Sequence, residues 1–88
     1  MKDGPLKRLR QGLGFSQAEM ATALGMSTSQ YNRAEKGFTG IPRQVWPRLG
    51  ELGLSVQDIL KQQEDFRANT TARLVEQIKR SVIGKSRK

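Results

Sequence analysis

Residues 16–37 read SQAEMATALGMSTSQYNRAEKG, which is the spacing of a helix, a tight turn and a second helix. Ser16 is placed to cap the first helix, and Glu19, three residues on, can reach back to its backbone to complete a capping box. Met20, Ala21 and Leu24 then fall on one face. Gly25 arrives where the chain must stop and turn, and glycine alone takes a left-handed backbone without steric cost. Ser27 restarts the chain as an N-cap, Tyr31 and Ala34 supply the inward face of the second helix, and Gly37 closes it. Two short helices crossing a turn need a small residue at their closest approach, and Ala21 stands there. The outward positions of the second helix, Thr28, Ser29, Asn32 and Arg33, are all hydrogen-bonding types. Such a helix is what a DNA major groove admits and reads.

The composition narrows the chemistry. The 88 residues hold one small domain and at most an appended segment. No cysteine is present, so neither a disulfide nor a thiolate metal site is available and a reducing compartment is natural. No histidine is present either, which removes the commonest general base and the commonest metal ligand together. No glycine loop of the phosphate-cradling kind follows a strand, and no acidic cluster has metal-ligand spacing. An enzyme, a bound metal and a cofactor are therefore not expected. No apolar run approaches the roughly 18 residues that would span a bilayer, and a cytoplasmic location is expected. The formal charge is +8. Nine basic side chains stand against five acidic ones through residue 61, and seven against three thereafter, so the excess is shared evenly. A polyanionic partner fits that balance.

Outward from the central stretch, Pro5 suits the first position of a helix in which Leu6, Leu9 and Leu13 repeat at helical spacing and Gly12 and Gly14 end the run. Met1–Gly4 is expected to be loose. Arg10 shares the general side of the leucines, and Glu35 is the one acidic residue late in the second helix of the central pair. A partly buried Arg10–Glu35 ion pair would tie those helices together. After a loop at residues 38–41, Pro42 opens a fourth helix with Val45, Leu49 and Leu52 as its apolar stripe, provided Pro47 falls in the first turn. Trp46 is expected to lie part-buried against the core. Gly53 ends that helix, and Ser55 caps a fifth that runs to about Lys61 and buries Val56, Ile59 and Leu60. Residues 62–69 are polar and read as a linker or a ragged helix extension. Thr70 or Thr71 is placed to cap a further amphipathic helix, residues 71–83, with Leu74, Val75, Ile78 and Val82 on one face. Such a stripe is too short to stand alone and must pack on the domain, on a second copy or on a partner. Residues 84–88 read as a disordered basic tail.

Gln17, Ala18, Glu19, Ala21, Gly25, Ser27, Glu35 and Gly37, with Arg10 upstream and Pro42, Arg43 and Leu52–Val56 downstream, resemble the phage repressor and Cro helix-turn-helix family (the XRE-type domain). The resemblance covers about Leu6 to Leu60. It implies an all-α fold: a five-helix, lambda-repressor-like domain at residues 1–61, here followed by an extension at 62–88 with an additional C-terminal helix and the basic tail. It also implies double-stranded DNA as the partner, with a homodimer on a near-palindromic operator. Carried over by position, Thr28, Ser29 and Arg33 match base-reading side chains, with Asn32 on an adjoining face. Ser16, Gln17, Ser27, Arg43 and the loop around Thr39 match the phosphate clamp. Helix N-termini attract phosphates on physical grounds as well. The family usually carries a branched aliphatic residue where Tyr31 stands, and it has no counterpart of the segment after Lys61.

A sequence-specific transcriptional regulator, in the form of a dimeric repressor, is the leading expectation. Two others stand beside it. One is an antitoxin that represses its own operon and holds a toxin with its C-terminal segment. The other is an interaction module that binds a protein partner through Leu74–Val82 without reading DNA. A basic amphipathic helix lying on an anionic membrane is a minor fourth reading.

Overall fold

A computed structural model describes residues 3–86, with side chains described for residues 3–82. These residues form five α-helices and no strand: α1 (Pro5–Leu13), α2 (Gln17–Leu24), α3 (Thr28–Glu35), α4 (Trp46–Glu51) and α5 (Val56–Ser86), with a 3₁₀ turn at Arg43–Val45 leading into α4. The fold is all-α, a helix-turn-helix unit followed by a C-terminal helix.

Local chemistry places each boundary. Pro5 occupies the first turn of α1, where its missing N–H is no loss. Ser16 Oγ accepts the Glu19 N–H at 3.1 Å while Glu19 Oε1 accepts the Ser16 N–H at 2.8 Å, so the capping box forms in full. Gly25 turns the chain at φ 72°, and Ser27 caps α3 in the same reciprocal way through Gln30. Pro47 falls in the first turn of α4. Gly12 does not end α1, which runs through it to Leu13.

The core is Leu6, Met20, Ala21, Leu24, Tyr31, Ala34, Val45 and Leu49, all essentially excluded from water. Each of its larger apolar side chains contributes about 1.5–3 kcal/mol by that exclusion. Leu9, Phe15, Met26, Ile41, Leu54, Val56 and Ile59 pack around it half-buried. The two expected stripes are shorter than their spacing suggests. Leu13 is the last residue of α1 and Leu52 the residue that follows α4, and both are exposed. Trp46 is half-buried, its indole N–H donating to the Ile41 carbonyl at 3.1 Å.

The largest departure is α5. No linker interrupts it at residues 62–69, and no new helix begins at Thr70 or Thr71; the segment expected as a separate helix at 71–83 continues the fifth. Polarity is not a helix breaker. From Ser55 to Ile83 the chain has neither glycine nor proline, and it is rich in Gln, Glu, Lys, Arg and Ala. The inward face also continues past Lys61, because Gln63, Phe66 and Thr70 extend the Val56–Ile59 row at alternating spacings of four and three. At 1.5 Å per residue a helix of 31 residues is about 46 Å long, which accounts for the 55 × 24 × 22 Å extents.

The N-terminus differs as well. Gly4 is buried under the Phe66 ring rather than loose, and a Cβ there would clash with that ring. Met1 and Lys2 lie outside the described residues. Of the expected basic tail, residues 84–86 continue α5, and Arg87 and Lys88 lie outside the described residues.

Candidate nucleic-acid interface

The start of α3 is built to be outward and rigid. Tyr31 and Ala34 pull one face of the helix into the core, and the opposite positions, Thr28, Ser29 and Arg33, are exposed. The Ser27–Gln30 box holds the first turn, with Gln30 N–H on Ser27 Oγ at 3.1 Å and Ser27 N–H on Gln30 Oε1 at 3.2 Å. Gln30 was not singled out from sequence, although a Ser-x-x-Gln spacing is the signal for it. Asn32 is placed differently from the other three. It is half-buried, with Oδ1 enclosed and no protein partner, so it stands beside the exposed face rather than on it.

Of the residues matched to a phosphate clamp, Ser27 caps α3 itself and Thr39 shares a groove with Arg33. Ser16 and Ser27 are exposed at the N-termini of α2 and α3. Each hydroxyl oxygen accepts a cap bond and keeps its own proton to donate. The first N–H groups of both helices have no intrahelical acceptor. Thr39 and Arg43 are exposed, and Arg33, Thr39, Gly40 and Pro42 line one groove with Met26 and Gln30. The helix that would read bases and the loop that would grip the backbone are therefore contiguous. The Arg43 guanidinium lies over the Trp46 ring, 5.7 Å from its centroid, which limits its wandering.

Gln17 is half-buried, and its amide Nε2 donates to Glu35 Oε1 at 3.0 Å. Glu35 is the centre of a buried network. Arg10 Nε donates to its Oε2 at 2.8 Å and Arg10 Nη2 to its Oε1 at 3.3 Å, while Arg10 Nη1 caps the Phe15 carbonyl at 3.0 Å. The ion pair thus fixes α1 against the end of α3. Burial pushes the Glu35 carboxyl up, but the Arg10 guanidinium, the neighbouring Tyr31 hydroxyl and the Gln17 amide outweigh it and hold the group below the ordinary glutamate range. The hydrogen bond to Glu35, against the opposing effect of burial, raises Arg10 further. Burial, then the neighbouring Glu35, raises the Tyr31 hydroxyl, which donates to the Leu6 carbonyl at 3.3 Å and so finds the partner that its place in the core demands.

Three residues reach this interface from a direction that the sequence pattern does not suggest. Gln63, Phe66 and Thr70 of α5 pack on the turn that leaves α3. Their signal is the continued row from Val56 and Ile59. Glutamine and threonine carry no apolar mark, and that hides it.

Leu74, Val75, Ile78 and Val82 follow on α5, all exposed, Ile78 at 62%. Among the described residues no group of carboxylates could hold a metal ion, and no helix is long and apolar enough to cross a membrane.

Neither the curated proteins nor the solved structures yield a match to this chain. A family model described as a helix-turn-helix domain does match, over residues 5–60. Those residues contain the capped helix pair, the Gly25 turn and the exposed Thr28–Ser29–Arg33 face, and the chain belongs to the helix-turn-helix domain family of DNA-binding regulators.

Proposed function

We propose that the chain is a cytoplasmic, sequence-specific transcriptional repressor that binds a near-palindromic operator as a homodimer and lays α3 in the major groove. One observation carries this reading: Thr28, Ser29 and Arg33 stand exposed on a helix whose other face is locked in the core, next to the groove that Arg33 shares with Thr39. Arg33 would donate a bidentate pair to guanine, and Thr28 would offer its methyl to thymine. Ser16, Gln17, Ser27, Thr39 and Arg43 would hold the phosphates. Gln17 does so with its backbone N–H and its second amide proton, the first being engaged by Glu35. Asn32, turned partly inward, would contribute at the edge. The test is selection of genomic fragments by the purified chain, followed by sequencing. Recovery of a common near-palindromic motif supports the proposal, and recovery of fragments without any shared motif ends it.

The exposed row Leu74, Val75, Ile78 and Val82 favours a second reading, in which the C-terminal half of α5 holds another protein. A helix this apolar on one side does not gain from standing in water. Under the first reading the same row serves the homodimer. Light scattering of the purified chain separates the two: a dimer supports the first, a strict monomer the second.

A further inference from the structure

The middle of α5 does more than cover the core. From one face of it Phe66 and Thr70 meet Gly37, Arg67 covers Gly40, and Gln63 reaches between them. Gln63 is 2% exposed. Its Nε2 donates to the Ala34 carbonyl at 2.8 Å and to the Thr39 carbonyl at 3.0 Å, while Oε1 is buried with no protein partner. Both amide protons are therefore spoken for, one by the last turn of α3 and one by the loop after it. The amide has a single possible orientation, because the reversed one would set an oxygen against two carbonyl oxygens. A trans peptide holds its C=O and N–H on opposite sides of the chain. Anchoring the Thr39 carbonyl on α5 consequently turns the Gly40 N–H away from α5. Thr39 and Gly40 both line the groove that contains Arg33.

We infer that Gln63 is a positioning residue of the DNA interface. Its amide sets the Thr39–Gly40 peptide so that the Gly40 N–H and the Thr39 hydroxyl meet a backbone phosphate when α3 lies in the groove. The inference rests on the DNA-binding reading above. Gln63 itself touches no nucleic acid; it acts by fixing the distance between α3 and the loop. It lies beyond the matched domain, so the C-terminal helix belongs to the DNA-binding apparatus. Phe66 and Thr70 brace the same turn without bonding the loop carbonyl.

The test uses the full chain and a labelled, mixed-sequence DNA duplex, titrated by fluorescence anisotropy between about 50 and 200 mM salt. Gln63→Met keeps the length and removes both donors. Relative to the parent, it should weaken binding about tenfold at every salt concentration and leave the log–log slope unchanged, because the lost loop donors are neutral, under conditions where circular dichroism shows both folded. Ile59→Val, which trims the core one turn away, should leave the affinity unchanged. A second measurement needs no variant: in the parent, the Thr39 and Gly40 amide resonances should shift when the duplex is added. Equal affinities for Gln63→Met and parent would overturn the inference alone, as would loop amides that ignore the duplex while those of α3 respond. A parent that fails to bind the duplex at all would overturn the DNA-binding reading and the inference with it.

Discussion

The Gln17 side-chain amide donates to Glu35 Oε1 at 3.0 Å, onto the same oxygen that receives Arg10 Nη2. One carboxylate thereby joins the start of α2, the end of α3 and, through Arg10, the body of α1. Glu35→Gln keeps the shape and removes the charge, which leaves the Arg10 guanidinium, 16% exposed, without its anion. The expected loss is about 3 kcal/mol, toward the low end for a broken buried pair because Arg10 keeps some water. Urea unfolding should show a lower midpoint at an unchanged slope. Arg10→Ala should cost a similar amount, and the double variant much less than the sum of the two. Additive losses would mean that the two groups do not act as a pair.

Glu35 also makes stability depend on acidity. Its carboxyl is held below the ordinary range, so as pH falls the unfolded chain takes up its proton first. The contribution is complete above the unfolded-state value and is lost as pH drops through the folded one. Glu19 moves in the same direction, held down by the Ser16 N–H and then by the Ser16 hydroxyl. Thermal midpoints of parent and Glu35→Gln, measured from neutral pH into acid, should differ most at neutrality and converge below the carboxylate range. A constant gap at every pH would remove Glu35 from the account.

Arg33 and Arg43 are both exposed arginines, yet their places predict different losses. Arg33 stands on the outward face of α3. Arg33→Ala should therefore relax discrimination at one base pair by about 1–3 kcal/mol and leave the other positions of the operator as they were. Arg43 precedes α4, outside α3, and lies over Trp46. Arg43→Ala should weaken binding to all sequences alike and reduce the salt slope by about 0.9. Competition assays with single-base operator variants, read at two salt concentrations, distinguish these outcomes.

How far the sequence could be read follows the range of the interactions. The Ser16–Glu19 box, the Gly25 turn and Pro5 at the head of α1 depend on residues three or four apart, and their spacing carries the whole signal. Arg10 was legible because a charge on an apolar face needs a partner, and Glu35 was the available one. The course of α5 was not legible. Gln63 is buried where it bridges two carbonyls from α3 and its loop, and those carbonyls are 29 and 24 residues away. A polar stretch reads as a linker until the surface it covers is known. Asn32 shows the same limit: its type suits a groove, but its position on the helix turns it half inward.

Gly37 offers a direct test of how tightly α5 holds that turn. Its φ is +85°, and a Cβ would meet Thr70 Oγ1 at 2.6 Å and the Phe66 ring at 2.9 Å. Gly25 has a similar φ of +72°, but a Cβ there would meet nothing within 4 Å. Gly25→Ala should therefore cost only the backbone strain, about 1–2 kcal/mol. Gly37→Ala should cost that and about 1–3 kcal/mol more for overpacking. Comparing the two unfolding midpoints isolates the contribution of α5. If the two variants are equally destabilised, Phe66 and Thr70 yield freely and the turn is not clamped.

Beyond Thr70, α5 has no core to cover, and Leu74, Val75, Ile78 and Val82 remain exposed. Ile78 is the most exposed of them at 62%. Ile78→Lys exchanges a β-branched residue for a good helix former at a site that touches no core residue, so the monomer should keep its stability within about 0.5 kcal/mol. Association through this row would bury the lysine and should fail. Sedimentation is expected to show a dimer for the parent and a monomer for Ile78→Lys at the same concentration. On DNA the variant should lose affinity for a two-half-site operator and bind an isolated half-site as the parent does, because only the linkage between copies has been cut. A variant that remains dimeric would place the contact between copies elsewhere and leave the row to a different protein.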